Sequence, residues 1–140
     1  MVVHQAFKFR LYPNAEQRQA LARQFGCSRF VYNYFLRERM DFYAAHKGDA
    51  SQKQGLNYND TAALLTELKR QPECSWLNEV NSQALQVALR NLDTAYVNFF
   101  KGQAKFPKFK SRRDKQSFGV PQHFSLDTHL GRLTLPKLAP

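Results

Sequence analysis

Residues 6–12 alternate between apolar and charged positions, with Phe7, Phe9 and Leu11 on one side and Lys8 and Arg10 on the other. A period of two is that of a half-buried strand, here with a basic outer face. Pro13-Asn14 ends it. Asn14 followed by Gln17 has the spacing of a capping box and opens a helix on which Leu21 and Phe25 lie four apart. Gly26 interrupts that pattern. A longer helix then runs from about Cys27 to His46, with Cys27, Val31, Tyr34, Phe35 and Phe42 on one broad face. Arg29, Arg37 and Arg39 add positive charge to it. Helix, glycine break, helix is the outline of a helix-turn-helix, and two packed helices with no DNA role give the same outline.

Residues 48–57 are polar and glycine-bearing and read as a loop. A third helix fits 58–70, with Thr61, Leu64, Leu65 and Leu68 inward and Pro72 just beyond its end. Trp76-Leu77 should plug the core between elements. A fourth helix over 82–101 carries Leu85, Leu89, Leu92, Tyr96 and Phe99 at steps of four, three, four and three. Asn81 or Ser82 caps it and Gly102 stops it. The period then returns to two. Phe118 and Val120 alternate before Pro121, Phe124 and Leu126 lead into a turn around 127–131, and Leu133 and Leu135 alternate with Arg132 and Thr134. The order is strand, four helices, two or three short strands, an α+β class. The first strand should pair with the last ones, making the helices an insertion into a sheet. So small a sheet has exposed edges, which suggests continuation into further sequence beyond residue 140.

Composition changes this picture in one place. The 140 residues carry 21 Lys and Arg against 11 Asp and Glu, a formal charge of +10. Residues 101–115 hold seven of those cations and one acid, Asp114, so +6 of the +10 lies in fifteen residues. Phe106, Pro107 and Phe109 interleave with the cations, and Gly102 and Pro107 exclude one continuous helix. Such a segment is either a solvated linker or a track for phosphates, with rings that pack on helices or stack on bases. The basic balance favours an anionic partner. No apolar run approaches the about 20 residues that span a bilayer. The N-terminus has no signal-peptide pattern, so the expected location is cytoplasmic.

Chemistry of the catalytic kind is not legible. The eleven acids are scattered among basic neighbours. Glu38 and Asp41 lie one helical turn apart, as a solvated face explains. Two-metal phosphodiester cleavage needs converging carboxylates, and none converge in the sequence. Cys27 and Cys74 lack a CxxC context and read as free thiols, and the four histidines show no ligand spacing. The expectation is no catalytic residue, no metal and no cofactor in this chain.

Several ordered motifs resemble a known family. Lys-Phe-Arg-Leu-Tyr-Pro-Asn at 8–14, Gly26-x-x-Arg-Phe-Val-Tyr-Asn33 and Ala84-Leu-Gln86 come first. Leu92-Asp-Thr-Ala-Tyr-x-Asn-Phe-Phe100, Phe106-Pro-Lys-Phe-Lys110 and Leu133-Thr-Leu-Pro-Lys-Leu138 follow. Together they are similar to the N-terminal third of TnpB proteins, the transposon-associated RNA-guided nucleases of bacterial insertion sequences. The resemblance implies a wedge-type β-barrel, here partial, from 1–13 and 116–140. It also implies a helical recognition part over 14–101 and a basic connector over 102–115. In the family these parts grip guide RNA and target DNA and read the short motif beside the target. The nuclease domain and zinc ribbon of the family would follow residue 140, so this chain would bind without cutting.

Candidate contacts come from both lines. Lys105, Lys108, Lys110, Arg112, Arg113 and Lys115 are the expected phosphate contacts, with Lys8 and Arg10 on the strand face as weaker ones. Ser82, Gln83 and Gln86 open the fourth helix, where short polar side chains suit phosphates and base edges or serve as ordinary caps. The resemblance assigns those positions, with Tyr58 and Gln122, to the reading of target-adjacent DNA. The expected partners are DNA and guide RNA, with no membrane. Two competing readings are a non-functional truncated transposase remnant and a small helix-turn-helix DNA-binding protein that uses Arg29, Arg37 and Arg39.

Overall fold

The computed structural model describes residues 2–51, 53 and 55–137. Helix α1 spans Ala15–His46, α2 spans Tyr58–Arg70, a 3-10 helix spans Pro72–Glu79, and α3 spans Ser82–Phe100. Strands β1, Ser125–Asp127, and β2, Arg132–Thr134, follow. Helix starts are written locally. Asn14 accepts from the Gln17 amide at 2.8 Å and Gln17 accepts from the Asn14 amide at 2.9 Å, a complete capping box. Asn57 and Asp60 form the same box at α2, and Asn81 accepts from the Gln83 amide at α3.

The core lies between the helices. Val31, Phe35 and Leu36 of α1, Leu65 and Leu68 of α2, Leu77 of the 3-10 helix, and Leu85, Leu89 and Leu92 of α3 form one buried cluster. Helices α1 and α3 run in the same direction. Gln24 near the start of α1 accepts from the Asn81 amide at 3.0 Å, and Arg39 further along bonds Asp93 at 2.6 Å. Trp76 only half fulfils its expected role. Its ring packs edge-on against Phe30 at 4.9 Å at the surface, while Leu77 alone is fully buried. Leu64 also faces outward.

Three expectations are corrected. First, α1 runs through Gly26 without a break. An interior glycine costs about 1 kcal/mol relative to alanine. Burial of Gln24, Cys27, Ser28 and Val31 on either side of it outweighs that cost. Second, residues 6–12 are not a strand. Phe7 and Phe9 are 74% and 66% exposed, and among the described residues no strand pairs with them. Alternation supplies a face but not a ladder partner. Third, the sheet is a two-stranded antiparallel hairpin, with Ser125 opposite Thr134, Leu126 opposite Leu133 and Asp127 opposite Arg132, and no barrel closes among the described residues. The class is mostly helical with this small sheet.

The hairpin turns at 127–131, as its sequence predicts. Asp127 accepts from the amides of His129 and Leu130 at 3.0 and 3.1 Å, and Gly131 takes φ 63°. The supposed strand around Phe118 instead packs on helices. Phe118 meets Phe25 edge-on at 5.1 Å. Gly119 lies so close to α3 that a Cβ there would sit 2.8 Å from Val87 Cγ1. Residues 138–140, at the end of the last expected strand region, lie outside the described residues. Among the described residues no helix is long and apolar enough to cross a membrane.

The unbroken α1 makes a prediction. A Cβ at Gly26 would meet only Arg29 Nη2, at 3.8 Å. Gly26→Ala should therefore raise stability by about 0.5–1 kcal/mol, read as a higher urea midpoint. A lower midpoint would mean that the helix needs a break there.

Candidate nucleic-acid interface

The basic segment leaves α3 at a sharp turn. Gly102, at φ 74°, donates to the Phe99 carbonyl, and Gln103 donates to Asn98. Glycine suits this left-handed position because it has no Cβ. The chain then returns along α1 and α3 and is held at four points. Phe106 sets its ring edge-on against Tyr96 and Phe99, with centroids 5.5 and 5.2 Å apart. Phe109 lies under the Arg37 guanidinium at 5.6 Å. The Asn33 side chain donates to the Lys110 carbonyl at 2.8 Å and accepts from the Lys110 amide at 2.7 Å, as a neighbouring strand would. Arg29 donates to Gln116 Oε1 at 3.4 Å. Between the last two points Ser111–Asp114 forms a turn, in which Asp114 accepts from the Ser111 amide at 2.8 Å.

The cations stand outside these anchors. Lys105, Lys108, Lys110, Arg112, Arg113 and Lys115 are all exposed. None of them pairs with a carboxylate among the described residues, whose ion pairs lie at Arg23–Glu79, Arg39–Asp93, Lys53–Asp60 and Arg70–Glu67. Lys110 is the most restrained, its ammonium 4.6 Å from the centroid of the Tyr32 ring. Burial raises the Tyr32 phenol above its ordinary range, so that ring stays neutral. Sequence reading overlooked the neighbours of this surface. Arg18 and Arg29 line an open groove with Arg112, Phe25, Leu21 and Gln116. Arg29 was singled out only as part of a rival arrangement, and no local pattern joins α1 to residue 112.

Lys8 and Arg10 are exposed on the N-terminal segment, where Arg10 lies over the Tyr12 ring at 6.0 Å. No described hydrogen bond or ion pair joins either to the connector. Arg39 is unavailable as a surface cation. It is 5% exposed, bonded to Asp93 and stacked on Tyr96 at 4.7 Å.

A second polar cluster forms at the start of α3. Gln83 donates through Nε2 to Gln122 Oε1 at 3.2 Å, joining two candidates 39 residues apart. Gln83 Oε1 is buried without a hydrogen-bond partner, whereas Ser82 and Gln86 are exposed. Tyr58 opens α2, and Arg90 lies over its ring at 5.2 Å. Arg90 follows Gln86 by one turn on the exposed side of α3, a spacing that could have singled it out. Among the described residues no three His, Cys, Asp or Glu side chains come together to hold a metal ion.

Residues 1–48 match the family model of a helix-turn-helix domain, that of insertion-sequence OrfB proteins. The matched stretch comprises the irregular N-terminal segment and all of α1. A Streptomyces pristinaespiralis protein named "Putative RNA-guided DNA endonuclease" is 39% identical over 137 residues, which is 98% of this chain and 33% of that relative. Its counterpart InsQ from Escherichia coli K12, named in the same words, is 39% identical over 134 residues, 96% of this chain and 32% of InsQ. The Salmonella dublin "Virulence protein VsdF" is 36% identical over 118 residues, covering 79% of this chain and 95% of VsdF. The chain thus spans about a third of the length of the two endonuclease-named relatives.

The anchoring geometry is testable through Asn33. Asn33→Ala should remove both bonds to Lys110 and lower stability by about 1–2 kcal/mol. It should also abolish slow hydrogen exchange at the Lys110 amide while leaving that of Leu89 in α3 slow. Unchanged exchange at Lys110 would show that the ring contacts alone hold the connector.

Proposed function

This chain belongs to the TnpB family of transposon-associated proteins, and on that premise we propose that it is a nucleic-acid-binding module that grips guide RNA and target-adjacent DNA without cutting either. One observation carries the reading. Six exposed cations ride on a segment that is itself pinned to two helices. A pinned segment loses little conformational freedom when phosphates arrive, so more of the charge attraction becomes affinity. Lys105, Lys108, Lys110, Arg112, Arg113 and Lys115 are its backbone contacts. Arg18 and Arg29 extend them across the groove beside Arg112. Lys8 and Arg10 serve as outlying contacts.

The cluster at the start of α3 has the chemistry of a base reader. Gln83, Gln86 and Gln122 offer paired amide donors and acceptors, and Ser82 lies beside a helix N-terminus. Tyr58 and Arg90 flank them. On the same reading, 1–13 and 116–140 belong to the wedge part, where the β1–β2 hairpin supplies the paired strands, 14–101 is the recognition part and 102–115 the connector. Two observations argue against the smaller helix-turn-helix reading based on Arg29, Arg37 and Arg39. Arg39 is buried in an ion pair, and Arg37 lies over Phe109.

The test is salt dependence. The six connector contacts by themselves should make log affinity for duplex DNA fall against log salt with a slope of about −5, and for a single strand with a slope of about −4. Replacing Lys105, Lys108 and Arg113 with alanine should reduce the slope by about 2–3. An oligonucleotide incubated with the chain and magnesium should stay intact. Affinity that is indifferent to salt would sink the reading.

A further inference from the structure

Phe100 has no place in the surfaces described so far. It ends α3 with its ring 77% exposed, the most open aromatic of that helix. A lone exposed ring is ordinary, but this one sits on a supported stack. Its centroid lies 5.4 Å from Phe99 and 6.2 Å from Tyr96, the latter tilted by only 31°. Phe106 wedges edge-on against both of those rings. Beneath Tyr96 lies the Arg39 guanidinium at 4.7 Å, fixed by Asp93 at 2.6 Å. The stack therefore runs from a part-buried ion pair outward to one open ring.

Its surroundings are cationic. Lys101 follows Phe100 directly, and Lys105 precedes the wedging Phe106. Both are exposed, and neither pairs with a carboxylate among the described residues. An apolar protein surface would be a poor match for a ring rimmed by unpaired ammonium groups. A flat, apolar base face carried on a negatively charged backbone matches both features.

We propose that Phe100 is a stacking platform for an unpaired base of single-stranded RNA, with Lys101 and Lys105 holding the adjacent phosphates. Duplex DNA hides its base faces, so it cannot use the platform. Every base has a π-face, so the site tolerates any sequence. Rigid support from Tyr96, Phe99 and Phe106 keeps the ring from having to be ordered on binding. The proposal rests on the reading of this chain as a nucleic-acid binder, and its Phe100 contact is of a different physical kind, one that releases no counterion.

That difference separates the two in one experiment. The full chain and its Phe100→Ala and Phe100→Trp variants are titrated with a fluorescein-labelled twelve-nucleotide uridine oligomer and with a twelve-base-pair DNA duplex, across a salt series. Phe100→Ala should weaken binding to the single strand by about five- to a hundred-fold. It should leave the salt slope and the duplex affinity as they were, while Phe100→Trp retains single-strand affinity. An unchanged urea midpoint is expected, since so exposed a ring contributes little to the core. If the parent chain binds with the expected salt slope and Phe100→Ala binds the single strand equally well, the platform is refuted while the charge reading stands. Equal losses on single strand and duplex refute it too, because stacking on a hidden base face cannot explain them. Absence of salt-dependent binding by the parent chain overturns both.

Discussion

The parallel seam between α1 and α3 is the constraint on which the other parts rest. Leu85, Leu89 and Leu92 are fully buried at steps of four and three, and they share one cluster with Val31 and Phe35 of α1. Apolar burial alone would let two such stripes slide by a turn. Two polar locks fix the register. Gln24 holds the Asn81 amide at one end, and Arg39 holds Asp93 at the other. The second lock is costly to bury, and one of its donors, Arg39 Nε, has no partner. Such a pair is better understood as a device for register than as a source of stability.

The connector inherits that register. Each of its anchors is a residue of the seam helices: Tyr96 and Phe99 from α3, Asn33, Arg37 and Arg29 from α1. Sliding α1 against α3 by one turn would separate the ring anchors from the amide anchor by about 5 Å, and the connector could not satisfy both. Seven cations in fifteen residues also repel one another. Left free, the segment would extend and move. The edge-on rings, the cation–π contacts and the Asn33 pairing offset that repulsion, so the charges are spread over a fixed track.

The legible parts of the sequence were those whose cause is local. The steps of four and three gave α3, the Asn-x-x-Gln spacing gave the start of α1, and the turn before Gly131 gave the hairpin. The missed parts share a non-local cause. Gly26 looks like a break because its penalty is local, whereas the burial that overrides it comes from α3 and the residues leading into it. Residues 6–12 have the period of a strand, but period cannot supply a partner. Arg39 looked like surface charge because nothing in its neighbourhood announces Asp93, 54 residues away. The site divided in the same way. The cations were legible from composition and remain exposed. The Asn33–Lys110 pairing and the Gln83–Gln122 bond, 77 and 39 residues apart, required the fold.

The length of α3 then bears on how the proposed contacts divide their work. Gln83 and Gln86 stand in its first two turns and Phe100 at its last residue, so about 21–25 Å of helix axis separates amide reader from open ring. No single nucleotide reaches both. On the proposed reading the two ends engage different portions of nucleic acid, base edges at the start of the helix and an unpaired base face at its end. The connector passes back along the same helix pair and lays its cations between them. A rigid α3 therefore sets the spacing between a contact that reads sequence and one that ignores it. That spacing holds only as long as the Arg39–Asp93 lock keeps α3 in register with α1.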